Sequence, residues 1–452
     1  MAHITPFRAL RYDPNRVPLA QVVTQPYDKI TPEMQARYYA ANPHNLVRII
    51  LGRREEGDSA ETNVYSRSAA YFQDWRRRGV FVQEPKPSLY LYTQRFVAPG
   101  SATQYERRGL IGLGRLEDYS SRVVFRHEQT LAKPKADRLE LLRATRAHFG
   151  QLFMLYSDPA GEVDGLLAPP AIPDLEVRDE YGVLHRVWKI SDPNLIGLVR
   201  SKMRDRNLII ADGHHRYETA LAYRDERRAA ATNSRALVPR ERVPEESFLL
   251  NETSEDAPYE MVMMTFVNMD GPGLVVLATH RVVHGLASFS SARLRADLHA
   301  YFSVDEIDAT VDPARATAIL REAGHTGTAL LAVSADAALL LHSPKGGDLQ
   351  ILSGISARQM LLDVVQLHKC VLEGALGLSE ETIRNQQNLT YKRDAAEALV
   401  QVRSGGANVA FLMNPVRMEQ VRDIAFAGEV LPQKSTDFYP KLLSGLTIYA
   451  LE

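Results

Sequence analysis

The alternation of apolar and polar positions along the chain predicts a mixture of strands and helices. In "SLYLYTQRF" aromatic and polar residues alternate, as in a strand with one buried face, and "RGLIGLGRL" follows as a second strand. Helical spacing runs from Glu61 to Arg78 and again through "KADRLELLRATRAHFG", and each pattern stops at a glycine. "QLFMLYSD" predicts a buried strand, and residues Pro193 to Arg204 predict a short helix that begins at a proline.

Further along, the pattern again mixes strands and helices. "NLIIA" predicts a strand that leads into a helix from about His214 to Ala231. "YEMVMMTFVNMDGPGLVVLATHRVVHG" predicts two strands around a Gly/Pro-rich turn, and residues Thr326 to Leu341 predict two more strands. "DAAEALVQVRSGGANVAFLMNP" predicts a helix, a turn and a strand, whereas "EVLPQKSTDFYPKLLSG" has no periodicity and predicts a loop.

These intermingled elements predict a mixed α/β fold of the α+β class. A chain of 452 residues is too long for one simple core, so we expect two domains. Small and charged residues mix with two prolines between Ala229 and Ser247, which favours a break there. The predicted domains are residues 1–235 and residues 236–452, both α/β, packed to form a shared cleft.

Composition and charge narrow the classes of partner. The chain is 45% hydrophobic and 24% charged, and its net charge of -1 gives no field that attracts nucleic acid or an acidic membrane. The basic run from Arg224 to Arg242 is interpreted as a solvated helix face. Without an apolar signal region or a membrane-spanning stretch, we expect a cytoplasmic protein with a small-molecule substrate, and homo-oligomerisation stays open.

The single cysteine, Cys370, excludes an internal disulfide framework and a multi-cysteine zinc site. It lies in the helical pattern "LLDVVQLHKCVLEGALG", where we expect it to be a small buried hydrophobic residue.

The stretch "ADGHHRYETA", residues 211–220, concentrates the chemistry of the chain. A strand that turns into a helix directs backbone N–H groups out of the helix start, and with the helix dipole these form an anion site. Asp212 is predicted at the N-cap, and Gly213 lets the backbone bend or approach a ligand. His214, His215 and Arg216 supply donors, and the arginine can bind a phosphate bidentately. Plain helix capping stays open for Asp212 alone.

Zinc is disfavoured at the same place. Adjacent residues point in different directions on a helix, and the HExxH spacing is absent.

Polar residues also follow two other predicted strands. His127 and Glu128 supply a general base beside basic groups suited to phosphate. Arg138 lies near the start of the next helix, directly after Asp137. Asp137 is equally well explained as a residue that caps this helix. His280 and Arg281 follow another buried strand. The remaining candidates are Lys434, Ser435 and Thr436 in the C-terminal tail, and Tyr27 and Asp28 in "VTQPYDKI". We expect these residues to line one polar cleft.

The standard nucleotide and nucleophile signatures are missing. The chain has no GxGxxG after a strand, no Walker A sequence and no GxSxG elbow, and Gly112 and Gly114 fall within a strand pattern.

Six motifs carry a resemblance to a known family. They are "PFRALRY", "PYDKI", "RHEQTLAKPKADRLELL", "ADGHHRYETA", "LATHRVV" and "GEVLPQKSTDFYPKLLSG", in this order over nearly the whole chain. This set resembles the bacterial and archaeal family known as domain of unknown function 1015. The "DGHHR" element is also similar to the signature loop of the ParB/sulfiredoxin superfamily, whose free-serine kinases phosphorylate serine from a nucleotide diphosphate. The resemblance implies a ParB/sulfiredoxin-like phosphate-binding core and phosphate contacts for residues 212–216.

These observations predict a phosphotransferase, most concretely a small-molecule kinase for free serine or a related hydroxyl metabolite. Two alternatives stay open: a hydrolase of phosphate esters or amides in the same cleft, and a non-catalytic ParB-like nucleotide-binding regulatory protein. The expected donor is ATP or ADP, with Mg²⁺ held mainly by the donor phosphates.

The candidate residues divide by expected role. The catalytic candidates are Glu128, His127, His214, His215 and Asp212. The phosphate- or nucleotide-binding candidates are Gly213, Arg216, Arg138, His280, Arg281, Lys434, Ser435 and Thr436. Asp28 and Tyr27 are the substrate candidates, with Asp28 an alternative to Glu128 as the base. No residue is assigned as a metal ligand with certainty.

Overall fold

Strands and helices follow one another along the whole described chain, which comprises residues 2–128, 132–236, 257–345 and 350–452 of a computed structural model. The predicted mixed α/β class is confirmed. A ParB/sulfiredoxin-like core and a cleft shared by two domains stay predictions.

The strands are short and numerous. In chain order they are β1 (Ile4–Thr5), β2 (Leu10–Tyr12), β3 (Phe81–Gln83), β4 (Leu89–Val97), β5 (Gln104–Arg115), β6 (Val124–Phe125), β7 (Ala147–His148), β8 (Leu152–Tyr156), β9 (Leu175–Arg178), β10 (Leu184–Ile190), β11 (Leu208–Asp212), β12 (Met261–Asn268), β13 (Val275–Leu277), β14 (His280–Val283), β15 (Ser303–Ile307), β16 (Ala329–Ser334), β17 (Ala338–His342), β18 (Leu389–Lys392), β19 (Val409–Met413), β20 (Asp437–Tyr439) and β21 (Tyr449–Ala450).

The helices vary from one turn to more than six turns. In chain order they are α1 (Pro32–Ala41), α2 (Val47–Ile50), α3 (Val64–Arg77), α4 (Ala132–Thr145), α5 (Glu162–Leu166), α6 (Pro193–Met203), α7 (His214–Ala236), α8 (Ser291–Leu298), α9 (Pro313–Ala323), α10 (Ala357–Met360), α11 (Asp363–Gln366), α12 (Glu380–Arg384), α13 (Ala395–Arg403) and α14 (Met418–Phe426). A π-helical segment, Leu367–Ala375, follows α11.

The chain forms two compact units. The first unit comprises Met1–Arg126, Thr130–Leu274 and Pro440–Glu452, and the second comprises His127–Gln129 and Val275–Tyr439. These units differ from the predicted domains, residues 1–235 and 236–452, because β12 pairs with strands of the first unit and the C-terminal tail also belongs there. The predicted break between Ala229 and Ser247 lies largely outside the described residues, and α7 continues to Ala236.

A large mixed sheet forms the centre of the first unit. Its strand order is β6-β11-β8-β12-β5-β4-β10-β9, and β1 pairs with β5 from outside this path. The strands β8 and β12 are parallel neighbours and are buried along their whole length. Such strands need apolar residues on both faces, which explains the continuous runs "LFMLY" and "MVMMTFVN".

The glycines of β5 are needed for strand packing. A Cβ on Gly114 would lie 2.4 Å from the Met264 sulfur, and one on Gly112 would lie 2.8 Å from the Leu89 Cδ2 atom. The prediction that Gly112 and Gly114 lie within a strand is confirmed.

A six-stranded antiparallel sheet forms the centre of the second unit, in the order β15-β17-β16-β19-β14-β18. The predicted strands between Thr326 and Leu341 are confirmed as β16 and β17. The tail predicted to be a loop contains β20, which pairs with β13, so that prediction is wrong for Asp437–Tyr439. The pairing partner is distant in sequence, and three residues give no periodicity to detect. Cys370 is buried in the π-helical segment, as expected.

None of the helices in the described parts of the chain combines the length and the apolar character that crossing a membrane requires.

Candidate functional site

The turn from β11 into α7 in the first unit has the predicted strand-to-helix geometry, with one change at its start. Asp212 is the last residue of β11, and the Gly213 carbonyl accepts the Tyr217 N–H at 2.9 Å, so Gly213 and not Asp212 occupies the N-cap position. Gly213 has a φ of 97°, and a Cβ there would lie 2.8 Å from the Leu152 Cδ2 atom. Only glycine meets both conditions without strain.

The Asp212 side chain is bound by two cations instead of capping the helix. Lys441 Nζ lies 3.1 Å from Oδ1, and Arg216 donates from Nη2 to Oδ2 at 2.7 Å. Burial alone would raise the pKa of Asp212, but Lys441, Arg216 and Lys29 outweigh it and hold the pKa well below its usual range. The buried Arg107 also interacts electrostatically with this carboxylate. Lys441, Arg216, Lys29 and Arg107 therefore all act on this one carboxylate.

Arg216 is held by the protein at both terminal nitrogens. Besides its bond to Asp212, its Nη1 donates to the Gln151 carbonyl at 2.6 Å. The absence of a side chain at Gly150 gives the guanidinium this access, because a Cβ there would lie 3.1 Å from Nη1. Bidentate phosphate binding by Arg216 stays a prediction. Its two hydrogen bonds show that Arg216 also connects Asp212 to the backbone at Gln151.

A pocket of the first unit lies beside Arg216, which we call the Arg216 pocket. Its polar lining includes Tyr27, Arg138, His148, Arg216 and Ser444, and apolar side chains such as Leu141 and Val262 complete it. Its empty volume is about 620 Å³, counting the part open to solvent.

Arg138 and Tyr27 form a stacked pair in this pocket. The Arg138 guanidinium carbon lies 4.2 Å from the centre of the Tyr27 ring, and its Nη1 donates to the Ile50 carbonyl at 2.6 Å. Asp137 pairs with Arg138 inside α4, which begins at Ala132, so the interpretation of Asp137 as a helix cap is wrong.

Four of the motifs therefore meet in the first unit. "PYDKI" supplies Tyr27 and Lys29, the segment after His127 supplies Arg138, "ADGHHR" supplies Asp212 and Arg216, and the tail supplies Lys441 and Ser444. Of the other candidates in this unit, His214 is buried, His215 is partly exposed, and Asp28 is exposed beside Tyr27.

A second polar cluster lies within the second unit. His127 is fully buried, and its Nε2 lies 2.7 Å from the Thr436 hydroxyl. Glu128 accepts the backbone N–H of Lys434 at 2.8 Å, and the His127 carbonyl accepts the Leu431 N–H at 2.7 Å. His127 and Glu128 thus lie together with the tail residues Lys434 and Thr436 inside this unit.

Ser435 and Lys434 have structural tasks in the cluster. The Ser435 hydroxyl donates to the Pro432 carbonyl, and Lys434 has a φ of 56°, in the left-handed region. Their contact with a phosphate stays a prediction.

Arg281 joins the same cluster as a fully buried cation. Its Nη2 donates to the carbonyls of Gln433 at 3.4 Å and Lys434 at 3.2 Å, and its guanidinium carbon lies 5.2 Å from the centre of the Tyr391 ring. Within the described ranges no carboxylate forms an ion pair with it. Burial lowers the pKa of Arg281 to about 10.

Two buried histidines accompany Arg281. His280 accepts the Met413 N–H at Nδ1, 3.3 Å away, and burial followed by the nearby Arg281 lowers the pKa of His280 to about 4. His368 lies in the π-helical segment, where burial, then Arg281 and Lys369, lower its pKa. The neutral form of both histidines is therefore favoured at neutral pH.

Sequence reasoning did not single out Lys29, Arg107 or His368, and it named Lys441 only as part of a loop. Lys29 and Lys441 lie inside the motifs "PYDKI" and "FYPK", so their motif membership was the available signal. Arg107 lies on β5 and His368 in a helical segment, and no local pattern separates them from ordinary strand and helix residues.

Across the described ranges, no group of three or more His, Cys, Asp or Glu side chains is arranged to hold a metal ion.

Comparisons with known proteins give one family and several distant structures. The family described as "Protein of unknown function (DUF1015)" matches residues 4–365. No curated protein matches the chain.

Three solved structures resemble the chain weakly. A conserved hypothetical protein from Pyrococcus furiosus is 12% identical, with a TM-score of 0.35 over 72% of this chain and 91% of that chain. A free serine kinase in complex with AMP is 13% identical, with a TM-score of 0.34 over 72% and 89%. SbnI with a C-terminal truncation, from Staphylococcus aureus, is 9% identical, with a TM-score of 0.34 over 75% and 87%. TM-scores this low carry no argument about this chain.

Proposed function

This chain belongs to the DUF1015 family of proteins of unknown function, and on the charges around Asp212 we propose that it is a phosphotransferase. The proposed activity is that of a small-molecule kinase, with free serine or a related hydroxyl metabolite as acceptor and a nucleotide as phosphate donor.

The observation that carries the proposal is the convergence of several cations at the start of α7. Lys441, Arg216 and Lys29 act on one carboxylate, Asp212, beside a helix N-terminus. The first N–H groups of a helix have no intrahelical acceptor, and they favour anions together with the helix dipole. An oxyanion that carries several charges, such as a terminal phosphate, complements this arrangement.

Each residue then has a physical task. Lys441 and Lys29 stabilise the negative charge of the bound phosphates, and Asp212 fixes the positions of Lys441 and Arg216. Phosphoryl transfer depends mainly on such positioning and charge stabilisation. Of the two bases predicted from the sequence, Asp28 lies in the same unit as this cluster, and it is the proposed acceptor of the proton from the substrate hydroxyl.

Both Asp212 oxygens are engaged by cations, so Asp212 is a poor ligand for Mg²⁺ in this arrangement. We therefore include Mg²⁺ only as an ion that the donor phosphates would bring.

The test is an assay for phosphorylated product. The full chain is incubated with ATP, ADP or pyrophosphate, Mg²⁺ and a panel of hydroxy amino acids, and products are identified by phosphorus NMR and mass spectrometry. The Lys441→Gln variant should lose activity by about a hundredfold, as expected for loss of a charged group that contacts the transferring phosphate. The matched control is Lys202→Gln, which removes an exposed lysine paired with Glu162 in the same unit.

The other outcomes identify the alternatives. Release of inorganic phosphate without a phosphorylated acceptor would favour the hydrolase. Tight nucleotide binding without turnover would favour the regulatory protein. Equal activity of both lysine variants would contradict the assignment of the phosphate site to Lys441.

A further inference from the structure

A second pocket of the first unit lies apart from the Asp212 cluster and is lined by aromatic and basic side chains. Its polar lining is Tyr39, Arg48, Arg53, Glu55, Arg67 and Tyr71, and we call it the Tyr39 pocket. Its empty volume is about 850 Å³, counting the part open to solvent. None of these residues belongs to the motifs discussed above.

Two arginines are fixed on the Tyr39 ring. The guanidinium carbons of Arg48 and Arg53 lie 4.4 Å and 4.2 Å from the ring centre. Arg48 also donates from Nη2 to the Tyr39 carbonyl at 2.9 Å. Stacking on an aromatic ring orients a guanidinium and leaves its edge N–H groups available to a planar or tetrahedral anion.

The backbone of Arg53 is held on both sides although its side chain is exposed. Its N–H donates to the Tyr39 hydroxyl at 2.9 Å, and its carbonyl accepts from Arg67 Nη2 at 2.9 Å. Arg67 in turn pairs with Asp58, with Glu55 3.5 Å away. The pocket is thus a preorganised arrangement, and the carboxylates of its rim are directed to Arg67.

The charges of Arg48 and Arg53 have no matching carboxylate. In the described part of the chain neither arginine forms an ion pair, and the Arg48 Nε–H is buried without a hydrogen-bond partner. The charge pattern calls for a ligand with at least two anionic oxygens.

We propose that the Tyr39 pocket binds the carboxylate or phosphate group of a small anionic metabolite through Arg48 and Arg53. The proposal is independent of the phosphotransferase activity, since it uses none of the residues of the Asp212 cluster.

The test measures the chemical reactivity of Arg53 itself, so an anion bound at the Asp212 cluster does not interfere. The full chain is treated with phenylglyoxal, and modification of each arginine is followed by peptide mass spectrometry with inorganic phosphate, malonate or chloride present. Phosphate or malonate should slow modification of Arg53 several-fold relative to chloride, and the two arms separate the phosphate from the carboxylate. The matched control is Arg37, an exposed arginine of α1 that does not line the pocket.

An Arg48→Gln variant provides the second measurement. Because one charged contact is lost, the affinity of the pocket for the protecting anion should fall about tenfold. The Arg37→Gln variant should leave the protection of Arg53 unchanged. Thermal melting checks that both variants are folded. Unchanged modification of Arg53 with either anion, or equal slowing at Arg37, would overturn the proposal, as would full protection retained in a folded Arg48→Gln protein.

Discussion

At the scale of single residues, Gly213 is the most constrained position of the candidate site. It combines a φ of 97° with a Cβ position 2.8 Å from the Leu152 Cδ2 atom and 3.1 Å from two nitrogens of Arg216. Gly213→Ala should lower the free energy of unfolding by about 2 kcal/mol or more, from backbone strain and displacement of neighbours. Urea unfolding followed by circular dichroism measures this loss.

Gly161 supplies the control for Gly213. Its φ is 64°, and a Cβ there would meet no atom within 4 Å. The Gly161→Ala variant is therefore destabilised only by the strain of a left-handed backbone conformation. We expect a loss of about 1 kcal/mol. Equal losses for the two alanine variants would show that crowding at Gly213 is unimportant.

A buried histidine gives the second prediction at this scale. The pKa of His280 is about 4 in the folded protein against an ordinary 6.5, so the unfolded chain binds the proton first as the pH falls. The contribution of His280 to the free energy of unfolding is therefore fully present above the pKa that His280 has in the unfolded chain, and it declines between about pH 6.5 and pH 4. From pH 7.5 to about pH 5, His280 should remove roughly 2 kcal/mol from the free energy of unfolding.

The measurement compares urea unfolding of the wild type and His280→Asn at the two pH values. The amide oxygen of asparagine can accept the Met413 N–H that His280 Nδ1 accepts, and it does not titrate. The variant should lose less stability on acidification than the wild type, whereas His325→Asn, at an exposed position, should match the wild type. Identical pH dependence in all three proteins would contradict the assignment.

The residue scale also shows what the sequence could and could not predict about the site. Asp212, Gly213 and Arg216 lie close together in the chain, and the turn between strand and helix was predictable from them. That Asp212 pairs with Lys441 was not, because the two residues are far apart in sequence and only the fold brings them together. The N-cap was misplaced by one residue because β11 extends through Asp212.

At the scale of elements, the strength of the pattern decided which elements were predictable. The helix–turn–strand from Ala395 to Met413 and the paired strands β16 and β17 have clear periodicity, and they are present. Strand partners were beyond reach, since β12 lies between β8 and β5 and no local pattern encodes a neighbour. The short β20 lacks any period of its own and depends on β13.

A buried network positions the C-terminal segment that carries Lys441. The Tyr92 hydroxyl accepts the Leu443 N–H at 3.4 Å and lies 2.6 Å from His185 Nδ1, and His185 Nε2 lies 3.2 Å from Asp179. Because the Asp179 carboxylate accepts from Nε2–H of His185, the Nδ1 atom of the neutral ring accepts the Tyr92 O–H. The network thus links β4 and β10 to the chain beside Lys441.

Removal of this hydroxyl should loosen the segment. Tyr92→Phe should cost about 1 kcal/mol of unfolding free energy and speed hydrogen exchange at the Leu443 amide, which mass spectrometry of the 440–445 peptide detects. Tyr156→Phe is the control, because Tyr156 is also buried but no hydrogen bond of its hydroxyl is present among the described residues. Unchanged exchange in Tyr92→Phe would argue against a positioning role for the network.

At the scale of the whole molecule, the net charge conceals how charge is distributed. The chain carries a formal charge of -1, which predicts no general attraction to nucleic acid, yet several cations converge on the Asp212 carboxylate. A sum over the sequence cannot detect such a cluster, because its members come from separate segments. The candidate residues are likewise divided between two units, which a linear order of motifs does not reveal.

This cluster of cations should make the binding of a polyanion depend on salt. Pyrophosphate should raise the melting temperature of the protein at low ionic strength, because it binds the folded state only. High salt should reduce that increase, since screening weakens interactions between partly exposed charges. In Lys441→Gln the increase should be smaller at low salt and should change less with salt, because one attractive charge is missing. Lys202→Gln, in which an exposed lysine outside the cluster is lost, should keep the wild-type salt dependence. An increase that is insensitive to salt in the wild type would mean that pyrophosphate is not held by the charges at Asp212.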